Sequence, residues 1–306
     1  MMKLKILFKA ATLAAVAFLG PATLAQQAIP AKQATAEPVM AEARPALWKL
    51  ADHDTTIYLF GTVHILPKGV NWFHGPVEYA FNHSDLLVTE LPDITMVDFM
   101  KGMAKYGVLP AGQSLREKLG DERRGRFEAA LAGLGQRPEM FDRNRAWVPA
   151  TLIPLLAIQK VGYDPAFGVE AVLDTKAKER KIARAGLETI DFQFGLLGGQ
   201  SEEKQIEYLD TVIVGVPEMQ GTIAQMVTLW SAGDEAGLAA MLNVDQEPEF
   251  AEDMLFSRNR AWAKWIASRM AQPGTVFIAV GAGHLGGARS VNDLLAKGGY
   301  RLTRVQ

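Results

Sequence analysis

The sequence predicts an α+β fold: a mixed β-sheet built from strands near the N- and C-terminal ends, covered by a large helical middle region. Three observations lead there. Apolar runs of strand length stand near both ends, at Thr55 to Phe60, Asp85 to Leu91 and Thr275 to Val280. Between Asp93 and Met270 the spacing is almost wholly helical, punctuated by Gly and Pro. The strands and helices do not alternate as they would in a doubly wound sheet.

The chain opens on a targeting segment. Lys3, Lys5 and Lys9 form a basic stretch, Ala10 to Gly20 is apolar, and Pro21-Ala-Thr-Leu-Ala25 supplies small residues. Residues 1–25 therefore read as a cleaved signal peptide, and the mature protein as exported, periplasmic or secreted, with no stable membrane anchor. Residues 26–45, rich in Ala, Gln, Pro and Glu, read as a flexible leader. Residues 46–306 form the domain. Its first strand starts near Leu47, turns at Asp52-His-Asp54 and returns from Thr55 as a hairpin. Pro76 to Asn82 is a short helix. Ser114-Leu-Arg-Glu117 has capping-box spacing. Helices follow over Glu122 to Leu134, Arg143 to Val161, Val169 to Arg180, Glu202 to Val214, Glu218 to Trp230, Glu235 to Leu242 and Glu249 to Met270. One short strand, Ile182 to Leu187, interrupts them, and the chain closes with the helix Ala288 to Lys297 and the strand Tyr300 to Val305.

Composition narrows the chemistry. The 306 residues carry a net charge of -2 and no long basic tract, so no nucleic acid is expected as a partner. There is no Cys. Disulfides, zinc–thiolate sites and cysteine nucleophiles are excluded, and any metal must sit on His and carboxylate.

The candidate site starts from a repeated pattern. Gly61-Thr-Val-His64 follows one apolar strand, and Gly281-Ala-Gly-His284 follows another. Glycine lets the backbone turn tightly and approach a ligand closely. Imidazole is both a metal ligand and a general base. Glu90 ends an apolar run, where an ionised carboxylate needs a partner. Glu170 opens a helix, where the macrodipole alone would favour an acid. Glu188 follows the strand from Ile182. Arg258 and Asn259 suit the orientation of a substrate carboxylate or of Glu90, or the joining of two helices. Arg143-Asn-Arg-Ala-Trp147 recurs as Arg258-Asn-Arg-Ala-Trp262, which suggests a duplicated, pseudo-two-fold layout. Gly281-Ala-Gly-His-Leu-Gly286 matches a dinucleotide fingerprint in form, but the chain ends before the acid that such a site needs.

Taken together, Leu47-Trp, Leu59-Phe-Gly-Thr-Val-His64, Ser84-Asp85, Glu90-Leu91, Arg258-Asn259 and Gly281-Ala-Gly-His284 resemble the TraB/PrgY/GumN family, in its GumN-like bacterial branch. The resemblance runs from about Leu47 to Val305. It implies a fold like that of the erythromycin esterase-like, ChaN-like and TIKI proteins. The TIKI proteins are regarded as divalent-metal-dependent proteases. The resemblance thus implies catalytic roles for His64, Glu90 and His284, with Arg258 near them. A divalent ion (manganese, cobalt or zinc) would be held by His64, Glu90 and His284, with Glu188 as a further ligand candidate. Asn259 and Glu170 would support the site or the substrate. The expected activity is metal-dependent hydrolysis of a peptide or protein substrate. The alternative is a non-catalytic periplasmic protein that binds a peptide or a metal-bearing ligand such as haem.

Overall fold

The computed structural model describes residues 42–243 and 248–306, so the expected signal and most of the leader lie outside the described residues. Strands β1 (Leu47–Ala51) and β2 (Thr55–Thr62) form the expected antiparallel hairpin, with Leu47 opposite Phe60. Its turn is closed by Asp52, whose Oδ1 accepts from the Thr55 amide at 2.9 Å. After the short β3 (Leu66–Pro67) come helix α1 (Gly75–Asn82), β4 (Leu86–Thr89) and helices α2 (Met96–Gly102), α3 (Gly120–Gly133) and α4 (Trp147–Gln159). Then follow β5 (Tyr163–Asp164), α5 (Val169–Arg180), β6 (Ala183–Gly186), α6 (Ile190–Gly198), α7 (Glu202–Gly215), α8 (Met219–Ser231), α9 (Glu235–Asn243) and α10 (Ser257–Arg269). Strand β7 (Gly274–Gly281), α11 (Val291–Lys297) and β8 (Leu302–Arg304) complete the domain.

Six strands form one mixed sheet in the order β6-β4-β7-β2-β1-β8. The four strands β6, β4, β7 and β2 run parallel, and β1 is antiparallel to both β2 and β8. The chain ends therefore do share a sheet, with β6 added from the middle. The inner parallel strands β4, β7 and β2 are covered on both faces, which is why their runs are largely apolar, whereas β6 at the edge carries Arg184. Side chains alternate between the faces. Tyr58, Phe60, Leu87, Phe277 and Ala279 pack with Phe81 of α1, Leu173 of α5, Trp230 of α8 and Leu238 of α9. Ile57, Leu59, Val88, Val276 and Ile278 pack on the other side with Trp262 and Ile266 of α10 and Leu295 of α11. Each large apolar side chain fully buried this way contributes roughly 1.5–3 kcal/mol.

The helical middle is thus more than a cover. Helices α1, α5, α8 and α9 lie on one face of the sheet and α10 on the other. Helices α3, α4, α6 and α7 enclose a core of their own around Phe127, Trp147, Phe194 and Leu209. Two expected helices are shorter than their sequence periodicity. The stretch from Arg143 becomes helical only at Trp147, because Asn144 pairs with Val108 and the Arg145 amide donates to the Gly107 carbonyl. The stretch from Glu249 widens into a π-turn over Glu252–Phe256 before α10. The capping-box spacing at Ser114 yields a single turn, Leu115–Lys118, with no side-chain cap. No helix of the described residues is long and apolar enough to cross a membrane.

Candidate functional site

The parallel strands end at one edge of the sheet, the edge where open parallel sheets place their ligands. Beyond β2 comes His64, beyond β4 Glu90, beyond β6 Glu188 and beyond β7 His284. Helix α5 brings Glu170 to the same edge and α10 brings Arg258 and Asn259. All seven sequence-selected residues meet there. The two glycines before the histidines act by close approach, since neither has a positive φ. A Cβ on Gly61 would stand 3.1 Å from Ala282, and the Gly281 amide donates to Glu90 Oε1 at 2.9 Å.

Arg258 is the hub. It is 2 % exposed, and each of its three nitrogens donates to a carboxylate or a carbonyl. Nε donates to Glu188 Oε1 at 2.8 Å. Nη2 donates to Glu90 Oε2 at 2.6 Å and Glu188 Oε2 at 2.8 Å. Nη1 faces the Met254 carbonyl at 3.1 Å and His284 Nε2 at 3.4 Å. The buried Gln193 amide donates to Glu90 at 3.2 Å and Glu188 at 2.9 Å, and the Trp262 indole donates to Glu188 at 2.9 Å. Burial opposes charge on Glu90, but Arg258 outweighs it and holds that carboxyl at about 2. Burial and the neighbouring guanidinium push His284 down to about 3.

A second arrangement lies beside the hub. His64 Nδ1 stands 2.8 Å from Glu170 Oε1. The two atoms are not aligned for a hydrogen bond: His64 Nδ1 and Glu170 Oε2 are buried and have no hydrogen-bond partner. The Thr62 hydroxyl donates to Glu170 Oε1. Burial opposes charge on His64, yet Glu170 prevails and raises the imidazole to about 9. This approach depends on Gly168, where a Cβ would fall 2.1 Å from the His64 carbonyl oxygen. His64, Glu90 and Glu170 line a cleft of about 190 Å³. Its lining also includes the apolar Leu91, Pro92 and Ile94 and the ion-paired Asp93, Arg184, Asp174 and Lys178.

The residues at this edge differ in how readily they could take a divalent ion. Among the described residues, His64, Glu90 and His284 do not bring three ligand atoms within 4.8 Å of one another; the one trio that does, Asp52, His53 and Asp54, is an exposed turn. Arg258 stands between Glu90 and His284, so an ion on His284 Nε2 would face a buried guanidinium. Unit charges about 4 Å apart repel by roughly 4 kcal/mol at an effective dielectric of 20, and a dication doubles that. Glu188 is likewise saturated by Arg258, Trp262 and Gln193. His64 Nδ1 and Glu170 Oε1, by contrast, stand 2.8 Å apart at the cleft with no cation between them, and the imidazole would have to give up its proton to ligate an ion. Their imidazole and carboxylate chemistry fits manganese, cobalt or zinc.

The family profile of TraB/PrgY/gumN matches residues 46–304. The chain belongs to this family. It is 22% identical over 267 residues to an uncharacterized protein of Treponema pallidum, covering 82% of this chain and 80% of that one. It is also 22% identical over 238 residues to the uncharacterized protein YbaP of Escherichia coli, covering 78% of this chain and 87% of YbaP. No solved structure matches. Within this family member, the two Arg-Asn-Arg-Ala-Trp copies serve different ends. Arg143 is exposed and donates to the carbonyls of Leu109, Pro110 and Gln113, while Arg258 is sealed among carboxylates. Three contributors escaped the sequence reading: Gln193, Thr62 and Trp262. Gln193 carried a usable signal, as a polar residue within the apolar stretch Ile190-Asp-Phe-Gln-Phe194.

Proposed function

We propose that this protein is an exported, metal-dependent hydrolase that cuts peptide bonds in the cleft at the carboxyl edge of its sheet. The observation that carries this reading is the His64–Glu170 pair, an imidazole and a carboxylate whose Nδ1 and Oε1 stand 2.8 Å apart where both residues line the cleft. These residues would hold the ion, which when bound acidifies a water and polarises the scissile carbonyl. The chain's own groups do the rest. Leu91, Pro92 and Ile94 in the cleft lining offer an apolar surface for a substrate side chain. Glu90, held ionised by Arg258 and the Gly281 amide, faces the cleft as a fixed acceptor for a water or amide proton. At about 190 Å³ the cleft is below the roughly 300–1,000 Å³ of pockets that enclose whole small molecules. That favours reaction on a chain segment over storage of a haem-sized ligand.

The test is cleavage of a peptide library by the mature chain from Gln26 onward, with and without manganese and a chelator. The reading expects cleavage that needs the ion and is lost in His64→Ala. Cleavage surviving both chelation and that substitution would overturn it. Tight one-to-one retention of a peptide with no product would instead favour the capture role.

A further inference from the structure

We infer that His284 serves as the positioning residue of Arg258, as a fixed hydrogen-bond acceptor, and is neither a metal ligand nor a proton donor. This rests on reading the sheet edge as the reactive centre, but the argument runs through hydrogen bonds alone. The Arg289 backbone carbonyl can only accept, and it lies 2.9 Å from Asn259 Nδ2. That contact orients the Asn259 amide, so its Oδ1 must be the atom 2.6 Å from His284 Nδ1. An oxygen there requires the proton to be on Nδ1. Nε2 therefore carries the lone pair, and the group facing it is Arg258 Nη1 at 3.4 Å, which can only donate. The imidazole is locked from both sides as the Nδ1–H tautomer. The partner of one ring nitrogen sets the role of the other.

The Trp262 ring completes the clamp. Its centroid lies 4.3 Å from that of His284 and 4.8 Å from the Arg258 guanidinium carbon. With Nη1 held by His284 and the Met254 carbonyl, Nε and Nη2 are aimed at Glu188 and Glu90. The second Gly-x-x-His loop thus acts on the cleft through Arg258 and Glu90.

The test is long-range proton–nitrogen correlation NMR on the full mature chain carrying ¹⁵N-histidine, at neutral pH, during titration with zinc chloride. The expected signature of His284 is a protonated Nδ1 and a bare Nε2, both unmoved by zinc. A protonated Nε2, or a His284 Nε2 that shifts along with the His64 nitrogens, would overturn the inference. These signals are read in the folded wild type, so they stand even if no peptide is cleaved and the hydrolase reading fails. Activity gives the second readout. His284→Gln, whose amide oxygen can accept from Arg258, should retain at least a tenth of wild-type kcat, and His284→Leu should lose at least a hundredfold. Equal loss in both variants would contradict the acceptor role.

Discussion

Arg258 and Glu90 are joined by a buried 2.6 Å ion pair, with side chains 1% and 9% exposed. Taking two charges out of water is costly, and the cost is recovered only when every donor and acceptor is matched. Here Glu188, Gln193, the Gly281 amide and the Met254 carbonyl supply the matching. The charged hub therefore behaves as one unit.

Removing its centre should be severe. Arg258→Met leaves Glu90 and Glu188 buried without their cation and is expected to cost about 3–5 kcal/mol of stability. Arg258→Lys should recover little of it, because an ammonium cannot reproduce five forked donors. Urea unfolding midpoints of the two variants check this. A loss below about 1 kcal/mol in Arg258→Met would show that the carboxylates are not dependent on it.

The repeated pentapeptide supplies a control. Arg143→Ala removes contacts to backbone carbonyls at the surface, two exposed and one part-buried. Its effect should stay within about 1 kcal/mol, with peptide cleavage unchanged. The same urea series and the cleavage assay measure it.

The two site histidines set opposite pH slopes in the metal-free protein. His284 sits at about 3, below its ordinary 6.5, so the unfolded chain takes up that proton first and stability falls as pH drops below about 6.5. Glu90, at about 2 against 4.5, adds a further loss below about 4.5. His64, raised from 6.5 to about 9, stabilises fully below 6.5, and this contribution is lost as pH rises toward 9. Stability under chelation should therefore peak near pH 6.5, with slopes approaching roughly 1.4 kcal/mol per unit on each side. Urea midpoints between pH 4 and 9 give the curve. A maximum at the alkaline end would mean that His64 is not paired with Glu170.

Gly168 tests the geometry of that pair. Gly168→Ala puts a Cβ against the His64 carbonyl and should force the β2 loop away from α5. A stability loss of about 1–3 kcal/mol is expected, together with weaker manganese binding. Calorimetric titration of manganese into wild type and variant decides it, with equal affinity counting against the close approach.

Much of this site was visible in the chain before folding was known. The strands β2, β4 and β7 announce themselves as apolar runs, β6 is a short strand carrying Arg184, and each of the four is followed within three residues by His64, Glu90, Glu188 or His284. Once such strands lie parallel, those residues must share an edge. What periodicity could not show is which group takes which partner. Glu170 looked like an ordinary first-turn acid of α5, since its approach to His64 depends on a glycine contact across the sheet edge. Glu90 gave no sign of its cation, because Arg258 arrives from a helix 168 residues further along the chain. Such pairings are fixed by tertiary packing to within tenths of an ångström, a scale on which sequence spacing is silent.

The most direct measurement is the position of a bound ion. In crystals of the chain from Gln26 onward soaked in manganese, an anomalous difference map should show one peak at bonding distance from His64 Nδ1 and the Glu170 carboxylate, with the Arg258–Glu90 pair intact. A peak on His284 and Glu90, with Arg258 displaced, would contradict the account.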